Sequence, residues 1–320
     1  MSKSEKYAIG IDLGGTYIKF GIVTEKGKIV RKSFVDTKAE GGPDVVIKQM
    51  KKGLKELLDP DKLKIEGIGI GSPGIVSKKK GTVENPPNLP GWGKVQLGHL
   101  IEKTFKIPTF VENDANAAAI GELIFGAGKN HKSFVMITLG TGVGGGIILN
   151  KKLFRGDFGA AGEIGHITID VNGPKCGCGS YGCIEAYAGN SYLIQNAKEG
   201  LKNHQDSKIV ELISDDFNTL TPKVICTAAE LGDPYANEVI KNLGKNIGYA
   251  LASVSNLLDV STFIIGGGVA GFGKLLLDNI ETSLKQRVLK SLVPRCKVLP
   301  AKLKNEAGIK GASSLVFYSI

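Results

Sequence analysis

The chain has 320 residues, 42% of them hydrophobic and 22% charged, a composition typical of a globular protein that can bury a substantial core. Its formal charge of +10 comes from scattered lysines with one tight run at residues 78–80, and such scatter is typical of solvated surface rather than of a nucleic-acid interface. The polar start MSKSEKY lacks the apolar core of a signal peptide, and the apolar stretch at residues 263–269 is too short to span a bilayer. We therefore expect a cytosolic protein that binds neither nucleic acid nor membrane.

Glycine clusters follow the apolar, β-branched runs of the chain. The runs are YAIGI, IEGIGI, FVMIT and STFII, and their glycine clusters lie at residues 14–15, 69–74, 140–146 and 266–268. This pattern predicts strands that end in tight turns. Helical periodicity lies between them, at about residues 45–58, 95–104, 116–125, 238–256 and 274–288. Strands that alternate with helices indicate an α/β architecture.

Two segments of the chain resemble each other. IGIDLGGT (residues 9–16) and VMITLGTG (residues 135–142) both contain an apolar run, a polar residue, Leu-Gly and a small-residue turn. Each is followed by an alternating run, YIKFGIV or VGGGIIL, which predicts a second strand. Each unit is therefore predicted to be a β-hairpin with a glycine-rich bend, and its presence in both halves indicates duplicated domains that face each other.

The two glycine-rich bends are candidates for phosphate binding. A turn without Cβ atoms lets backbone N–H groups approach phosphate oxygens closely. Asp12 stands where a carboxylate can hold Mg²⁺ directly or through water. Either bend alone is more often a plain hairpin turn, but a related pair favours phosphate. The other residues assigned to this role are Gly14, Gly15, Thr16, Lys19, Gly140, Thr141 and Gly142.

Two familiar nucleotide-binding fingerprints do not fit their context. GTGVGG (residues 140–145) satisfies the dinucleotide pattern, but residues 147–149 continue as strand where that pattern needs a helix. GVAGFGKL (residues 268–275) differs from the P-loop pattern at one position. Leu275 stands where that pattern has the serine or threonine whose hydroxyl would hold Mg²⁺. The glycines at residues 266–268 still close a strand before a helix, where they can approach a nucleotide.

The segment TFVENDANAAAIGE (residues 109–122) places dense polar residues between a predicted strand and an alanine-rich helix. Asp114 is predicted at the helix N-terminus, exposed at the end of the strand. Asp114 or Asn113 can serve there as an N-cap alone, since both residue types are preferred caps. Polar side chains at the carboxyl end of a strand are also typical of binding sites in α/β proteins. The residues alone leave both interpretations of Asp114 open.

A structural metal site is predicted from the segments GEIGH (residues 162–166) and CGCGSYGCIE (residues 176–185). Its ligands are His166, Cys176, Cys178 and Cys183. One imidazole and three thiolates suit tetrahedral Zn²⁺, and four protein ligands leave no position for a reacting water. Thiols packed in a core are disfavoured because glycines surround these cysteines. Cys226 and Cys296 are predicted to be isolated reduced thiols.

Glu163 and Glu185 bracket the predicted metal loop. They serve as surface charge, as support for His166, or as acceptors for the hydroxyl groups of a sugar. A metal loop would fix both carboxylates rigidly, and a specificity site needs such rigidity.

Together these motifs resemble the ROK family of repressors, open reading frames and sugar kinases, and most of all its bacterial glucokinases. The resemblance covers essentially the whole chain, and the cysteine loop is its most specific part. The matching segments are IDLGGTYIK, GIGSPG, NPPNLPGW, ENDANAAAIGE, LGTGVGGG, GEIGH, CGCGSYGCIE and AGIKGA.

The resemblance implies a two-domain α/β fold of the actin-like, hexokinase (RNase H-like) type, with an interdomain cleft. Residues 1–115, together with a C-terminal helix at about residues 304–320, would form the smaller α/β domain. Residues 116–303 would form the larger one, which carries the zinc loop. Dimers are the commonest oligomers in general, so we also expect a homodimer.

The resemblance further implies roles for individual residues, with ATP, Mg²⁺ and structural Zn²⁺ as cofactors. Asp114 would be the general base, and His166 would both bind zinc and adjoin the sugar. The hexose would be held by Gly74, Asn113, Asp114, Glu163, His166 and Glu185. The nucleotide would be held by Asp12, Gly14, Gly15, Thr16, Lys19, Gly140, Thr141, Gly142, Gly267 and Gly268.

The implied activity is transfer of the γ-phosphate of ATP to a hexose hydroxyl. Glucose is the first expectation, while fructose, mannose and N-acetylmannosamine stay open as substrates, and polyphosphate stays open as a donor. A sugar-responsive repressor of the same family is disfavoured because eleven residues before Asp12 are too few for a helix-turn-helix domain. A catalytically silent sugar-binding module is disfavoured because Asp114 is present.

Overall fold

The structure, a computed structural model, describes residues 5–58, 63–77 and 81–318. The lysine run at residues 78–80 lies outside the described residues. Within the described ranges, no helix is both long and apolar enough to cross a lipid bilayer.

The strands are β1 (Tyr7–Leu13), β2 (Tyr17–Thr24), β3 (Ile29–Asp36), β4 (Ile65–Ser72), β5 (Ile75–Ser77), β6 (Thr82–Glu84), β7 (Lys94–Val95), β8 (Thr109–Asn113), β9 (Phe134–Leu139), β10 (Val143–Leu149), β11 (Lys152–Phe154), β12 (Thr262–Gly266) and β13 (Lys297–Pro300). The helices are α1 (Gly42–Leu58), α2 (Leu97–Phe105), α3 (Asp114–Phe125), α4 (Glu185–Ala188), α5 (Asn190–Leu201), α6 (Lys208–Ile213), α7 (Pro222–Glu230), α8 (Pro234–Leu258), α9 (Gly273–Arg287) and α10 (Ala307–Phe317). Short 3-10 helices lie among them, including Ile164–His166 and Gly268–Phe272.

The five helices expected from periodicity are confirmed as α1, α2, α3, α8 and α9, and the four apolar runs as β1, β4, β9 and β12. In α1 the buried side chains Val46, Met50, Leu54 and Leu57 recur every three or four residues, so one stripe of the helix faces the core. Helix α8 begins where the Asp233 side chain accepts a hydrogen bond from a backbone N–H and a proline follows at the first helical position.

The first sheet has the strand order β3-β2-β1-β4-β8. Strands β1, β2 and β3 are antiparallel neighbours, whereas β1, β4 and β8 run parallel. Because parallel strands end at the same edge, the carboxyl ends of β1, β4 and β8 share one edge of the sheet. Apolar side chains of this sheet, among them Ile9, Ile68 and Ile70, pack with α1 and α2 into a single buried core.

The second sheet has the order β11-β10-β9-β12-β13, and β9, β12 and β13 run parallel. Counted along the chain, both five-stranded sheets therefore have the order third, second, first, fourth, fifth. The resemblance between residues 9–16 and 135–142 thus corresponds to the same position, the first strand and its bend, in each sheet. A small third sheet has the order β5-β6-β7.

By internal contacts the chain divides into two compact units. The first comprises Met1–Lys132, Gly146–Gly162 and Lys302–Ile320, and the second comprises Ser133–Gly145 and Glu163–Ala301. Helix α3 belongs to the first unit, whereas the boundary expected at residue 115 places most of it in the larger domain. The buried Glu122 side chain of α3 accepts a hydrogen bond from the Leu303 backbone N–H at 2.8 Å, which ties α3 to the C-terminal segment. The expected domain boundaries stay a prediction.

Candidate active site

The junction of β8 and α3 carries the proposed base. Asn113 is the N-cap of α3, and its Oδ1 accepts hydrogen bonds from the backbone N–H groups of Ala115 at 3.0 Å and Asn116 at 3.2 Å. Asp114 is the first helical residue and is exposed, with Oδ1 at 2.8 Å from the Ala115 nitrogen. Asn113 is thus the N-cap of α3, and the Ala115 N–H that it accepts is shared with the Asp114 carboxylate.

Several predicted site residues of the first unit lie at one edge of its sheet. Asp12 pairs with Gly71 in the β1–β4 ladder, and Asn113 pairs with Ser72 in the β4–β8 ladder. Strands β1 and β8 flank β4, so their backbones are about 10 Å apart. The Asn113 Nδ2 group donates to the Gly74 carbonyl at 3.1 Å. The structure therefore brings Asp12, Gly74, Asn113 and Asp114 to the same sheet edge, as expected for a binding site.

The first glycine-rich bend joins β1 to β2. The Thr37 hydroxyl donates to the Gly14 carbonyl at 2.7 Å, which holds the bend from the side of β3. The Thr37 backbone N–H donates to the Thr16 carbonyl at 2.9 Å. The Thr16 side chain is exposed and Gly15 is half-buried. The Gly14 N–H donates to the Tyr17 carbonyl at 3.1 Å, so the bend is fixed through two carbonyl oxygens and one N–H group.

Asp12 lies next to this bend, at the end of β1. Its carboxylate is half-buried, and Lys19 Nζ lies 3.8 Å from Oδ2. Burial raises the pKa of Asp12, and the nearby Lys19 cation opposes that shift only in part. A Cβ on Gly308, in the first turn of α10, would lie 2.3 Å from Asp12 Oδ2, so only glycine allows this close approach. A carboxylate held at a sheet edge beside a glycine bend fits a Mg²⁺ ligand.

The second glycine-rich bend joins β9 to β10 in the second unit. The Gly140 N–H donates to the Gly142 carbonyl at 3.0 Å, and Asn190 N–H, at the start of α5, donates to the Gly140 carbonyl at 3.0 Å. Thr141 is exposed. The bend thus lies beside the N-terminus of a twelve-residue helix, where the helix dipole favours anions.

The glycine pair after β12 lies near the second bend. Strand β12 pairs in parallel with β9, with Gly266 opposite Thr138, so the turns that follow both strands share one sheet edge. Gly267 has φ 88°, and a Cβ there would lie 2.2 Å from the Leu139 carbonyl oxygen. Gly268 begins the 3-10 helix Gly268–Phe272. The structure therefore brings together the two glycine turns that were assigned to the nucleotide in this unit.

The predicted metal ligands His166, Cys176, Cys178 and Cys183 form a compact cluster in the second unit. One ligand atom from each lies within 4.8 Å of all the others. The Sγ atoms of Cys178 and Cys183 are 3.7 Å apart, and His166 Nδ1 is 3.8 Å from Cys176 Sγ. Zn–S bonds of about 2.3 Å at tetrahedral angles place neighbouring sulfurs about 3.8 Å apart. The cluster therefore fits a four-coordinate zinc ion.

The cysteine loop itself is held by backbone hydrogen bonds. Cys176 N–H donates to the Ser180 carbonyl at 2.8 Å, and Gly179 N–H donates to the Cys176 carbonyl at 3.0 Å. Burial raises the pKa of the Cys176 and Cys183 thiols, whereas a hydrogen bond from Ser180 N–H lowers the pKa of Cys178. Metal binding to this cluster must therefore displace thiol protons.

Glu163, His166 and Glu185 surround this cluster. His166 turns Nδ1 toward the thiols, while Nε2 lies 3.9 Å from Glu163 Oε2. Glu185, the first residue of α4, accepts a hydrogen bond from Val143 N–H at 2.9 Å, and its Oε1 is 3.8 Å from Cys176 Sγ. His166 can thus bind a metal through one nitrogen and donate through the other.

The predicted site residues therefore form two sets, one in each compact unit. Sequence reasoning missed one feature of the first set, a buried ion pair between Glu112 and Arg155. Glu112 stands inside the polar segment already noted at residues 109–122, but Arg155 lies in a loop with no recognisable motif. No sequence signal links two residues that are 43 positions apart.

Comparison with known proteins gives one family and two functional classes within it. The ROK family matches residues 8–318. A glucokinase of Halalkalibacterium halodurans is 36% identical over 317 residues, which cover 98% of this chain and 96% of that protein. A xylose repressor of Caldicellulosiruptor bescii is 31% identical over 312 residues, which cover 96% of this chain and 77% of that protein.

A solved structure with the same fold is a ROK family glucokinase from Streptomyces griseus, in complex with glucose and AMPPNP. It has a TM-score of 0.85 and 38% sequence identity, and the match covers 97% of this chain and 98% of that chain. The expected actin-like, hexokinase-type α/β fold is thereby confirmed. Since the family match spans nearly the whole sequence, this chain belongs to the ROK family.

Proposed function

We propose that this chain is a hexokinase-type sugar kinase that uses ATP to phosphorylate a hexose, glucose in first place. The observation that carries the proposal is that two neighbouring residues at the start of α3 differ in position and in contacts. Asn113 caps the helix, and the Asp114 carboxylate stays exposed at the edge where three parallel strands end. A carboxylate so placed suits general-base chemistry. The likeness to glucokinases supports the same activity.

The proposed chemistry is direct in-line transfer. Asp114 accepts the proton of the sugar 6-hydroxyl while that oxygen forms a bond to the γ-phosphorus. The bond from the γ-phosphorus to the β,γ-bridging oxygen breaks, and ADP leaves with its electron pair. The products are the hexose 6-phosphate and ADP, and Asp114 then releases its proton to solvent.

The phosphates are assigned to the glycine-rich bends, and Mg²⁺ to Asp12. Backbone N–H groups of the bends and the hydroxyls of Thr16 and Thr141 donate to phosphate oxygens, and Lys19 adds a positive charge. Mg²⁺, when bound, neutralises charge that develops on the phosphates. Burial raises the pKa of Asp12, and a cation bound there would oppose that shift by favouring the ionised carboxylate.

The hexose is assigned to the Gly74 region, Asn113, Asp114, Glu163, His166 and Glu185. Asn113 already uses Oδ1 for the helix and Nδ2 for the Gly74 carbonyl, so its orientation is fixed before a sugar arrives. Carboxylate oxygens accept more than one hydrogen bond, which leaves Glu185 capacity for a sugar hydroxyl beside its bond to Val143.

Zinc is assigned a structural role at the Cys3His cluster. The interatomic distances fit tetrahedral coordination, and four protein ligands leave no open position for substrate. The ion would fix the loop that carries His166 and Glu185. Its effect on catalysis is therefore positional.

A sugar-responsive repressor is the second candidate, favoured by the likeness to a xylose repressor. Assays of ATP consumption and of DNA binding distinguish a sugar kinase from a repressor. A kinase consumes ATP only when the right sugar is present, whereas a repressor binds operator DNA and releases or retains it on sugar binding. A gel-shift assay with genomic DNA fragments, run with and without sugar, tests the second function.

The decisive experiment is a hexose panel with ATP and Mg²⁺, in which ADP release is measured. We expect glucose to give the highest kcat/KM among glucose, fructose, mannose and N-acetylmannosamine. Polyphosphate replaces ATP in a parallel series, and light scattering tests the expected homodimer. Absence of sugar-dependent ADP release with every hexose and both donors would contradict the kinase proposal.

A further inference from the structure

A buried ion pair joins Arg155 to Glu112, which stands two residues before the proposed base. Arg155 Nε donates to Glu112 Oε2 at 2.7 Å, and the two side chains are only 14% and 6% exposed. Burial of two charges is expensive unless each keeps a good partner, so removal of one leaves the other in an unfavourable state. Glu112 therefore depends on Arg155 to stay in place.

The second oxygen of Glu112 holds the residues on either side of Asp114. Glu112 Oε1 accepts from the Asn113 backbone N–H at 3.0 Å and from Asn116 Nδ2 at 3.2 Å. Asn116 is itself almost fully buried in the first turn of α3. One carboxylate thus bonds the residue before Asp114 and the residue two positions after it. The Glu112 carboxylate therefore contacts both the N-cap residue and the first turn of α3.

Arg155 is held in a closed loop that packs on β5. The Ala161 N–H donates back to the Arg155 carbonyl at 3.1 Å, which closes residues 155–161 into a compact turn. A Cβ on Gly159 would lie 2.8 Å from the Val76 carbonyl oxygen, so this loop lies directly against β5. Strand β5 follows Gly74, whose carbonyl accepts the Asn113 hydrogen bond. The loop that carries the Arg155 guanidinium is therefore held in place by its own hydrogen bond and by its contact with β5.

We propose that Arg155 is a positioning residue for the phosphoryl-transfer reaction, acting through Glu112 on the placement of Asp114. This inference rests on the proposed kinase function. Arg155 touches neither reacting atom; it fixes the Glu112 carboxylate, and that carboxylate fixes Asn113 and Asn116. Without the guanidinium, the Glu112 carboxylate turns toward water and withdraws the acceptor from both neighbours. Since displacement of a catalytic group by about 1 Å can cost about 100-fold in rate, the loss falls on kcat.

The test compares Arg155→Met and Glu112→Gln with wild type in sugar-dependent ADP release. Arg155→Met keeps the bulk of the side chain but removes the cation, and we expect kcat to fall about tenfold or more, with the KM for ATP within about twofold of wild type. Glu112→Gln keeps size and one acceptor oxygen, so it folds more readily, and we expect kcat to fall about threefold or more. All rates are normalised to folded protein.

Lys285→Met is the matched control. Glu281 likewise bridges a cation, Lys285, and a backbone N–H, that of Val298 at 3.0 Å, but it lies between α9 and β13 in the second compact unit. We expect Lys285→Met to lower the Tm while kcat and both KM values stay at wild-type level. A purely structural role of Arg155 would give the same pattern in Arg155→Met.

The outcomes separate this inference from the proposed function. An active wild type with both kcat reductions supports the positioning role. An active wild type with kcat within twofold in both variants, or in Glu112→Gln alone if Arg155→Met does not fold, overturns it. A wild type without sugar-dependent ADP release contradicts the kinase proposal, and the positioning role falls with it.

Discussion

The Glu185 carboxylate accepts a hydrogen bond from the Val143 backbone N–H at 2.9 Å, so the residue that begins α4 is fastened to the first residue of β10. The same carboxylate lies 3.8 Å from Cys176 Sγ in the metal cluster. Glu185 is therefore a direct link between the Cys3His cluster and the second glycine bend. We therefore expect a structural change in the Cys3His cluster to alter the second glycine bend, and a change in the bend to alter the cluster.

Gly142→Ala tests this link. A Cβ on Gly142 would lie 2.4 Å from Glu185 Oε2, so alanine forces the carboxylate away from Val143. Loss of a hydrogen bond to a charged acceptor costs about 1.5–3 kcal/mol, and we expect a lower Tm together with a higher KM for ATP.

Gly140→Ala is the companion variant in the same bend. A Cβ there meets nothing within 4 Å, so the Tm should not change. We expect the KM for ATP to rise all the same, because the methyl group occupies space assigned to phosphate. Equal Tm values for the two variants in thermal unfolding would contradict the proposed role of the Glu185–Val143 bond.

Asp114→Asn should separate catalysis from folding. Because Asn113 supplies the cap of α3, we expect the Tm to stay within about 2 °C of wild type, while kcat falls about 100-fold or more. Sugar binding, measured by calorimetry, should survive in part. Near-normal turnover by this variant would remove the base assignment.

Asn113→Ala should behave in the opposite way with respect to stability. It removes the acceptor for the Asn116 N–H and one of the two acceptors for the Ala115 N–H, and loss of an N-cap costs about 1 kcal/mol. We expect a Tm lower by about 2–4 °C, together with weaker sugar binding. A Tm equal to that of wild type would show that another group caps α3.

Asp12→Asn should stabilise the protein in a pH-dependent way. Burial raises the pKa of Asp12 above its unfolded value of about 3.9, so the folded protein binds the proton more tightly than the unfolded chain does. The stability contributed by the protonated form is full below about pH 3.9 and is lost as the pH rises through the folded-state pKa.

The measurement is the Tm difference between Asp12→Asn and wild type, without nucleotide, from pH 3.5 to 7. We expect the advantage of the variant to grow as the pH rises and then to level off. Activity with Mg²⁺ and ATP should fall sharply at every pH, because the proposed metal ligand is lost. A Tm advantage that shrinks with rising pH would show that the charge of Asp12 stabilises the fold.

Zinc removal should destabilise the second unit. We expect about one Zn²⁺ per purified chain by mass spectrometry of metals, and a lower Tm after incubation with a chelator. Cys178→Ser should lose most of the metal. Cys226→Ser, outside the cluster on α7, is the control and should keep it. Full metal content in Cys178→Ser would contradict the ligand set.

Local sequence patterns predicted much of the fold because they show the periodicity of apolar residues and the turn residues at which helices and strands end. The stripe at Val46, Met50, Leu54 and Leu57 has the period of a helix. A glycine directly follows the last residue of β1, β9 and β12, whereas β4 contains Gly69 and Gly71 within the strand. Helices α4, α5, α6 and α7 were missed, although Thr221 followed by Pro222 is a helix-start signal that marks α7. Their apolar stripes are short, which weakens the periodic signal.

The sequence left Asp114 undecided between helix cap and catalytic base, and only geometry assigns the cap. Asn113 and Asp114 are both good caps by residue type, so composition cannot choose between them. The backbone places Asn113 at the N-cap position, where its Oδ1 accepts hydrogen bonds from the N–H groups of Ala115 and Asn116. That choice leaves Asp114 to face solvent.

By itself, the sequence determined the α/β class, the two glycine-bend hairpins, the four residues of the Cys3His cluster and the segments that carry the candidate site, since each depends on residues near one another along the chain. The tertiary structure alone decided that α3 packs with the C-terminal segment, that Asp12 rests against Gly308, and that Arg155 holds Glu112. The physical reason is that such contacts join residues far apart in sequence. Which residues meet in such a contact depends on the order of strands in the sheet and on the pairing of buried charges. Neither the strand order nor the charge pairing produces a pattern in the local sequence.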